Sequence, residues 1–246
     1  MGRVCDITAA ILAGGEGTRL QSVVSDRPKV LAEISGKPFL AYLFDQLLNS
    51  GIRRVVLCSG YMADKIKTCF GSSYDLLSIQ YSKEDQPLGT GGGLRLALPL
   101  LASDTILVMN GDSYIDTNLS VYIDWFFEKD CQASLLLTKI DDAGRYGTVV
   151  INKNKTVAAF REKCNNADAK SGWINAGIYL LKRSLIRTIP AGKAYSLERQ
   201  FFPRLTGGEF FGFCCEGRFI DIGTPEAYAM ADSFFAVKSD RDFTKD

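Results

Sequence analysis

No histidine occurs among the 246 residues. That absence removes Ser-His-Asp and Cys-His catalysis, H-E-x-x-H zinc sites and imidazole general bases together, so any chemistry must proceed without an imidazole. The net charge is only +1, from 29 basic and 28 acidic residues in mixed order. This is no electrostatic footprint for nucleic acid or a membrane surface, and a bound anion would have to be held locally. No apolar run approaches the ~18 residues of a membrane span. The segment Met1-Gly-Arg-Val-Cys-Asp6 is too brief and interrupted for a signal peptide, and Asp6 stands where a myristoylation motif wants Ser or Thr. Cys5, Cys58, Cys69, Cys131, Cys164, Cys214 and Cys215 are odd in number and lack C-x-x-C spacing, which reads as free thiols in a reducing cytoplasm. Internal repeats, linkers and low-complexity segments are also missing.

What is present is a chain with 46% hydrophobic and 23% charged residues, enough for one globular domain with a substantial core. Residues 8–13, 54–59, 79–82 and 106–110 read as buried strands, and 38–49, 64–70 and 92–101 as helices between them. Repeated alternation of strand and helix predicts a Rossmann-like, mostly parallel α/β sheet flanked by helices. A helix over 119–129 and a strand over 133–138 follow. Residues 146–151 and 156–160 alternate around Asn152-Lys-Asn-Lys155 and predict an antiparallel hairpin. The remaining expectations are a strand at 173–181, a helix at 184–189, a strand at 210–215 and a last helix over 226–237. Thr224 caps that helix, Pro225 opens it, and a frayed charged tail follows Ser239. The whole of 1–246 reads as a single domain.

The organising stretch is Ile11-Leu-Ala-Gly-Gly-Glu-Gly-Thr-Arg-Leu20, followed by Asp26-Arg-Pro-Lys29. An apolar strand feeds a glycine turn that can bring backbone N–H groups to an anion, and Arg19 and Lys29 stand at its exit. No Gly-Lys-Ser/Thr closes a Walker loop, and the third glycine of a dinucleotide fingerprint would fall on Leu20. Ligands of such sheets collect beyond the carboxyl ends of strands, where both this loop and Gly111-Asp112 lie. Asp112 follows an apolar strand and Asp221 precedes Gly223. Either aspartate can cap a turn, or the pair can bind Mg²⁺ together with phosphate oxygens and water.

The compound Gly-Gly-x-Gly-Thr-Arg-Leu plus Arg-Pro-Lys resembles the sugar-1-phosphate nucleotidylyltransferases. Further landmarks of that family recur in order: Pro87-Leu-Gly-Thr-Gly91, Asn110-Gly-Asp112, Tyr146-Gly147, Glu162-Lys163, Asn175-Ala-Gly177 and Asp221-Ile-Gly-Thr-Pro225. Within the family, residues 20–29 look most like the D-glycero-α-D-manno-heptose-1-phosphate guanylyltransferases. Gln21-Ser-Val-Val24 stands where hexose-specific members usually carry proline and threonine.

The resemblance implies the nucleotide-diphospho-sugar transferase fold and a division of labour between a nucleotide-binding half over about 1–130 and a sugar-binding half over about 131–238. Arg19, Lys29 and Asp112 are the implied catalytic residues. Leu12, Ala13, Gly14, Gly15, Gly17, Thr18, Glu84, Gly89 and Thr90 surround the nucleotide, with Glu84 suited to accept from guanine's N–H edge. Gly147, Glu162, Lys163, Asn175 and Gly177 face the sugar phosphate, while Asp112 and Asp221 hold Mg²⁺. Arg27 and Asp116 are weaker candidates, with Arg27 suited to fixing the loop. Tyr146 and Trp173 read as core or pocket wall.

The implied reaction transfers GMP from GTP to a sugar 1-phosphate, giving GDP-heptose and pyrophosphate for capsule, surface polysaccharide or S-layer glycan synthesis. A hexose 1-phosphate such as mannose or glucose as acceptor stands beside it, as does a non-catalytic nucleotide-sugar sensor or regulatory subunit. The expected partners are an NTP and a sugar 1-phosphate, without nucleic acid or membrane, and the sequence is compatible with a homo-oligomer.

Overall fold

The computed structural model describes residues 4–140, 146–161 and 172–237. Strand β1 (Thr8–Ala13) runs into the glycine loop, a 3-10 turn (Lys29–Leu31), the short strands β2 (Glu33–Ile34) and β3 (Lys37–Pro38), and helix α1 (Phe39–Asn49). Next come β4 (Arg54–Ser59), α2 (Ala63–Phe70), β5 (Ser73–Tyr74), β6 (Leu77–Lys83), α3 (Gly89–Ala97) and β7 (Thr105–Asn110). The chain continues through β8 (Ser113–Ile115), α4 (Leu119–Lys129), β9 (Ala133–Ile140), β10 (Thr148–Ile151), β11 (Val157–Arg161) and β12 (Gly172–Lys182). It ends in α5 (Arg183–Arg187), a π-helical turn (Leu197–Phe201), α6 (Phe202–Leu205), β13 (Phe210–Cys215), β14 (Phe219–Asp221), α7 (Pro225–Ala229) and α8 (Ala231–Ala236).

β1 lies between β4 and β7, parallel to both, and β6 extends the parallel run beyond β4. β12 is antiparallel to β7, β9 is antiparallel to β12, and β13 returns parallel to β9. The expected hairpin is β10 with β11, attached to β12 where Thr148 faces Ile174. Period-two alternation divides the core into two layers. Ala9 and Ile11 of β1, with Leu107 and Met109 of β7, face a layer holding Phe39 and Phe44 of α1 and Tyr122 and Phe126 of α4. Ala10, Ile106 and Val108 face the opposite layer, with Leu94 of α3, Ile186 of α5 and Phe201 and Phe202. Each fully buried leucine, isoleucine, valine, phenylalanine or methionine among them is worth about 1.5–3 kcal/mol of transfer free energy, and both faces of the parallel strands are covered, as such strands require.

Two helices differ most from their sequence-based boundaries. α3 starts at Gly89 rather than 92 and ends at Ala97. Glycine propensity argues against a first turn of Gly-Thr-Gly-Gly, but the amides of Gly91 and Gly92 both donate to Tyr195 O (2.8 and 3.0 Å), and this tertiary anchor overrides propensity. The last helix bends at Met230 into α7 and α8. Tyr228 then donates to Glu33 O (2.6 Å), and Asp232 accepts from the amide and hydroxyl of Ser35 (2.6 and 2.9 Å), tying both helices to the β2–β3 hairpin. Thr224 caps the first of them, accepting from the Ala227 amide. The tail, residues 238–246, lies outside the described residues, as do residues 1–3. Among the described residues Cys58, Cys69, Cys131, Cys214 and Cys215 are free thiols, and no helix is long and apolar enough to cross a membrane.

Candidate active site

Parallel pairing places three turn residues side by side. Ala13 of β1 faces Ser59 of β4, and Ser59 faces Lys83 of β6, so Gly14, Gly60 and Glu84 emerge together at the carboxyl ends of their strands. On the other flank Leu12 faces Asn110, and the Gly111 amide donates to Leu12 O (3.0 Å), which brings Asp112 beside the glycine loop. A cavity of about 510 Å³ opens over these strand ends. Leu12, Ala13, Gly14, Gly15, Gly17, Thr18, Lys29, Glu84, Gly89, Thr90 and Asp112 line it, together with Glu16, Asn110 and Gly111. All nine residues expected from the sequence around the nucleotide therefore line this one cavity.

Glu84 sits in a recess that glycine alone permits. A Cβ on Gly14 would lie 2.5 Å, and one on Gly60 2.8 Å, from its Oε1. Its Oε2 accepts from the Leu88 amide (3.2 Å), and burial pushes its carboxyl above the ordinary range against that bond's opposing effect. Burial, with a smaller contribution from the Glu84 charge, also pushes the nearby Cys58 thiol up to about 12, which keeps it protonated.

Lys29 opens the 3-10 turn behind Pro28, and its ammonium is ion-paired with Asp112. Burial acts to raise the Asp112 carboxyl, but the Lys29 charge, with hydrogen bonds from Lys29 and Ser113, outweighs it and holds the group below the usual carboxylate range. Arg27 is turned away, bridging Asp26 and Glu33. Asp116 pairs with Arg218 at 3.0 Å.

A second cavity, about 160 Å³, adjoins the first and shares Asn110 and Asp112 with it. Arg19, Tyr146, Gly147, Asn175, Glu198 and Asp221 also line it, with Phe160 and Phe219 as apolar wall. The antiparallel pairing of β14 with β8 sets Asp221 opposite Ser113, and the Ile222 amide donates to Asp112 O (2.9 Å), so two carboxylates far apart in sequence arrive at one edge. Asp221 Oδ1 accepts from the Gly223 amide (2.7 Å). A Cβ on Gly223 would lie 3.3 Å from the Arg19 guanidinium, so Arg19 lies by Asp221 and belongs to this cavity's lining rather than the first one's. Among the described residues no group of three or more His, Cys, Asp or Glu side chains is placed to hold a metal.

Asn175 is held at a register shift of β12. Its amide N–H donates to Gly147 O (2.9 Å), its Oδ1 accepts from the Gly177 amide (3.0 Å), and its Nδ2 donates to the Tyr179 hydroxyl (2.8 Å). Gly177, at φ +76°, lines neither cavity. It backs Asn110, whose Nδ2 would be 2.8 Å from any Cβ there. Trp173 lines neither cavity and stacks under the Lys139 ammonium, 4.9 Å from its ring centre. Glu162 and Lys163 lie outside the described residues. Glu198, in the π-helical turn, carries no sequence signature and was not singled out by motif. The nearest signal is its place one turn before Phe201 and Phe202, in a segment docked on Gly91 and Gly92.

The nucleotidyl transferase family model matches residues 8–237. The D-glycero-α-D-manno-heptose 1-phosphate guanylyltransferase of Aneurinibacillus thermoaerophilus is 37% identical over 224 residues, 91% of this chain and 96% of that protein. A mannose-1-phosphate guanylyltransferase of Mycobacterium tuberculosis is 34% identical over 231 residues, 92% of this chain and 64% of that longer protein. A crystal structure of HddC from Yersinia pseudotuberculosis complexed with GMP-PN matches with a TM-score of 0.81 at 35% identity, covering 93% of this chain and 99% of that one. A strand-end glycine loop, its lysine paired to a strand-end aspartate, and a family match over nearly the whole chain agree: this protein belongs to the nucleotidyl transferase family.

Proposed function

We propose that the protein transfers GMP from GTP to D-glycero-α-D-manno-heptose 1-phosphate, producing GDP-heptose and pyrophosphate. The observation that carries the reading is the seam at Asp112, where a glycine-loop cavity of nucleotide size meets a smaller polar cavity. The guanylyltransferase relatives and the GMP-PN complex support the nucleotide. Glu84 supports guanine, since a carboxylate accepts from both N–H groups on that base's edge and would meet a lone pair on adenine. The heptose relative and the Gln21-Ser-Val-Val24 segment support the sugar.

An oxygen of the sugar 1-phosphate attacks the α-phosphorus of GTP. A new P–O bond forms as the bond to the β-phosphate breaks, and pyrophosphate leaves in line with the attack. A phosphate monoester has its second pKa near ~6, so the nucleophile is already ionised and no general base is needed. This agrees with a chain that has no histidine. What remains is to align two anions and compensate their charge, the work of Lys29, Arg19 and the loop amides, with Lys163 as the sugar-phosphate lysine.

Asp112 and Asp221 present hard oxygen donors at one edge, which fits Mg²⁺ completed by phosphate oxygens and water. When bound, the ion supplies positive charge to the phosphates. The two halves of the chain divide the labour, residues up to about 130 lining the nucleotide cavity and the remainder most of the sugar cavity, with Arg19, Asn110 and Asp112 reaching across from the first half. GDP-heptose is an activated glycosyl donor, so a glycosyl transfer consumes it, in keeping with capsule or surface polysaccharide assembly.

The test is pyrophosphate release from GTP, ATP, CTP and UTP, each paired with heptose, mannose and glucose 1-phosphates in Mg²⁺. Release with GTP and the mannoheptose is expected. Preference for mannose would correct the sugar, and silence in every pair would leave a nucleotide-sugar sensor in its place.

A further inference from the structure

We infer that Glu198 is a sugar-hydroxyl acceptor of the second cavity and that Thr90, on the nucleotide side, fixes its position. This rests on reading that cavity as the sugar 1-phosphate site.

Glu198 stands in the π-helical turn, with Leu197 and Phe201 buried on either side of it in the core, so the carboxylate's root does not drift. The Leu197 amide donates to Thr90 Oγ1 (2.9 Å). The Thr90 hydroxyl proton is thereby directed outward, and it donates to Glu198 Oε2 (2.7 Å). Ser196 donates to the same oxygen at 2.9 Å. Both bonds fall on Oε2, while Oε1 has no hydrogen bond and the carboxylate no ion pair among the described residues. An ionised carboxylate has about four acceptor positions, so this half-buried group lines the cavity with half its capacity open. The groups it would meet there are donors, and those of a sugar are hydroxyls.

The second glycine run acquires a purpose from this arrangement. A Cβ on Gly91 would stand 3.1 Å from Tyr195 O, and one on Gly92 2.7 Å from Lys193 O. The backbone of residues 193–197 therefore lies directly on the first turn of α3, where Tyr195 O takes the amides of Gly91 and Gly92 and the Tyr195 amide donates to Leu88 O (2.8 Å). The Gly89-Thr-Gly-Gly stretch thus holds the turn that brings Glu198 to the sugar, and Thr90 is a positioning residue that lines the first cavity while bonding the carboxylate that lines the second.

Steady-state kinetics of the full chain, with GTP and whichever of mannoheptose or mannose 1-phosphate the wild type turns over, test the assignment. Glu198→Gln keeps the volume and removes the charge. It is expected to raise the KM for the sugar 1-phosphate ten-fold or more, the size of a charge-assisted hydrogen bond, with the KM for GTP within two-fold. Thr90→Val is expected to raise the sugar KM five-fold or more although Thr90 lines the nucleotide cavity, and Thr90→Ser to restore it. A series of monodeoxy mannose 1-phosphates separates contact from scaffolding. One position should cost the wild type ten-fold and Glu198→Gln less than two-fold, because the variant has already lost that hydroxyl's partner. An unchanged sugar KM in Glu198→Gln, or the same deoxy profile in both proteins, overturns the proposal. If Glu198→Gln does not fold, the Thr90 pair decides: an unchanged sugar KM in Thr90→Val overturns it equally. A wild type silent with every sugar 1-phosphate overturns the parent reading and this one with it, whereas an active wild type with an unaltered Glu198→Gln overturns this one alone.

Discussion

The larger cavity takes much of its lining from the ends of β1, β4, β6 and β7, which lie next to one another in the sheet, whereas the smaller one gathers side chains from β11, β12, β14, the π-helical turn and the exit of the glycine loop. In the first, short contiguous segments carry the site, and parallel pairing alone brings them abreast. In the second, the residues come from several elements scattered along the chain, and pairings such as β14 with β8 decide which of them meet. A site of the first kind is written locally in the chain; one of the second kind exists only after folding.

The comparison breaks most sharply at Asp112, the shared residue that carries a charge. Asp112→Asn is expected to lower kcat by about 10²–10³ or more with every sugar, while circular dichroism stays native. Its stability effect has a definite sign. The Asp112 carboxyl is held below its ordinary value, so the pairing with Lys29 stabilises the fold at neutral pH. That contribution is lost as pH falls below the ordinary aspartate range, near ~3.9, and through the lower folded value. Melting curves of wild type and variant should therefore converge in acid.

Glu84→Gln should act on the first cavity alone, raising the KM for GTP by about 10–100-fold, the loss of charge-assisted bonds, and leaving the sugar KM within two-fold. Glu84 is pushed up by burial, so GTP binding should weaken on acidification at a higher pH than an ordinary glutamate would allow. The same raised value means that the ionised group destabilises the folded state above it. The variant should melt higher than wild type near neutrality, with the gap closing as pH falls toward ~4.3.

Arg19→Ala sharpens the division at its border, because the family motif assigns Arg19 to the nucleotide and the structure sets it in the smaller cavity's lining. An increase of about ten-fold in the sugar KM, exceeding that for GTP, is expected for loss of a charged hydrogen-bond donor; the reverse ranking would return Arg19 to the nucleotide. The smallest effect belongs to Asp116→Asn. Its partner Arg218 is partly exposed, so the pair is worth ~1 kcal/mol or less, and turnover should stay within two-fold, keeping Asp116 outside the metal site.

The same contrast explains what the sequence made legible. The strand at Thr8–Ala13, the glycine loop and Asp112 were readable because each sits at or next to a strand end marked by an apolar run and a turn, and Lys29 as a cation at the loop's exit, whereas Glu84 came only with the family resemblance. The carboxylate pair of Asp112 and Asp221 was readable only through family resemblance, since nothing local reveals that β14 lies against β8. Glu198 escaped because a π-helical turn has no periodic signature and its partner Thr90 is 108 residues away. The early start of α3 and the bend at Met230 escaped for a related reason: Tyr195 O in one case and the β2–β3 hairpin in the other supply tertiary bonds that outweigh local propensity.

The central claim is that the two cavities form one reaction centre in which a sugar 1-phosphate oxygen attacks the α-phosphorus of GTP. Sugar 1-phosphate labelled with ¹⁸O in its non-bridging phosphate oxygens tests it directly by ³¹P NMR of the product. The account predicts label in the oxygen joining the two phosphorus atoms of the GDP-sugar and none in the released pyrophosphate; an unlabelled bridge, or label in pyrophosphate, would contradict it.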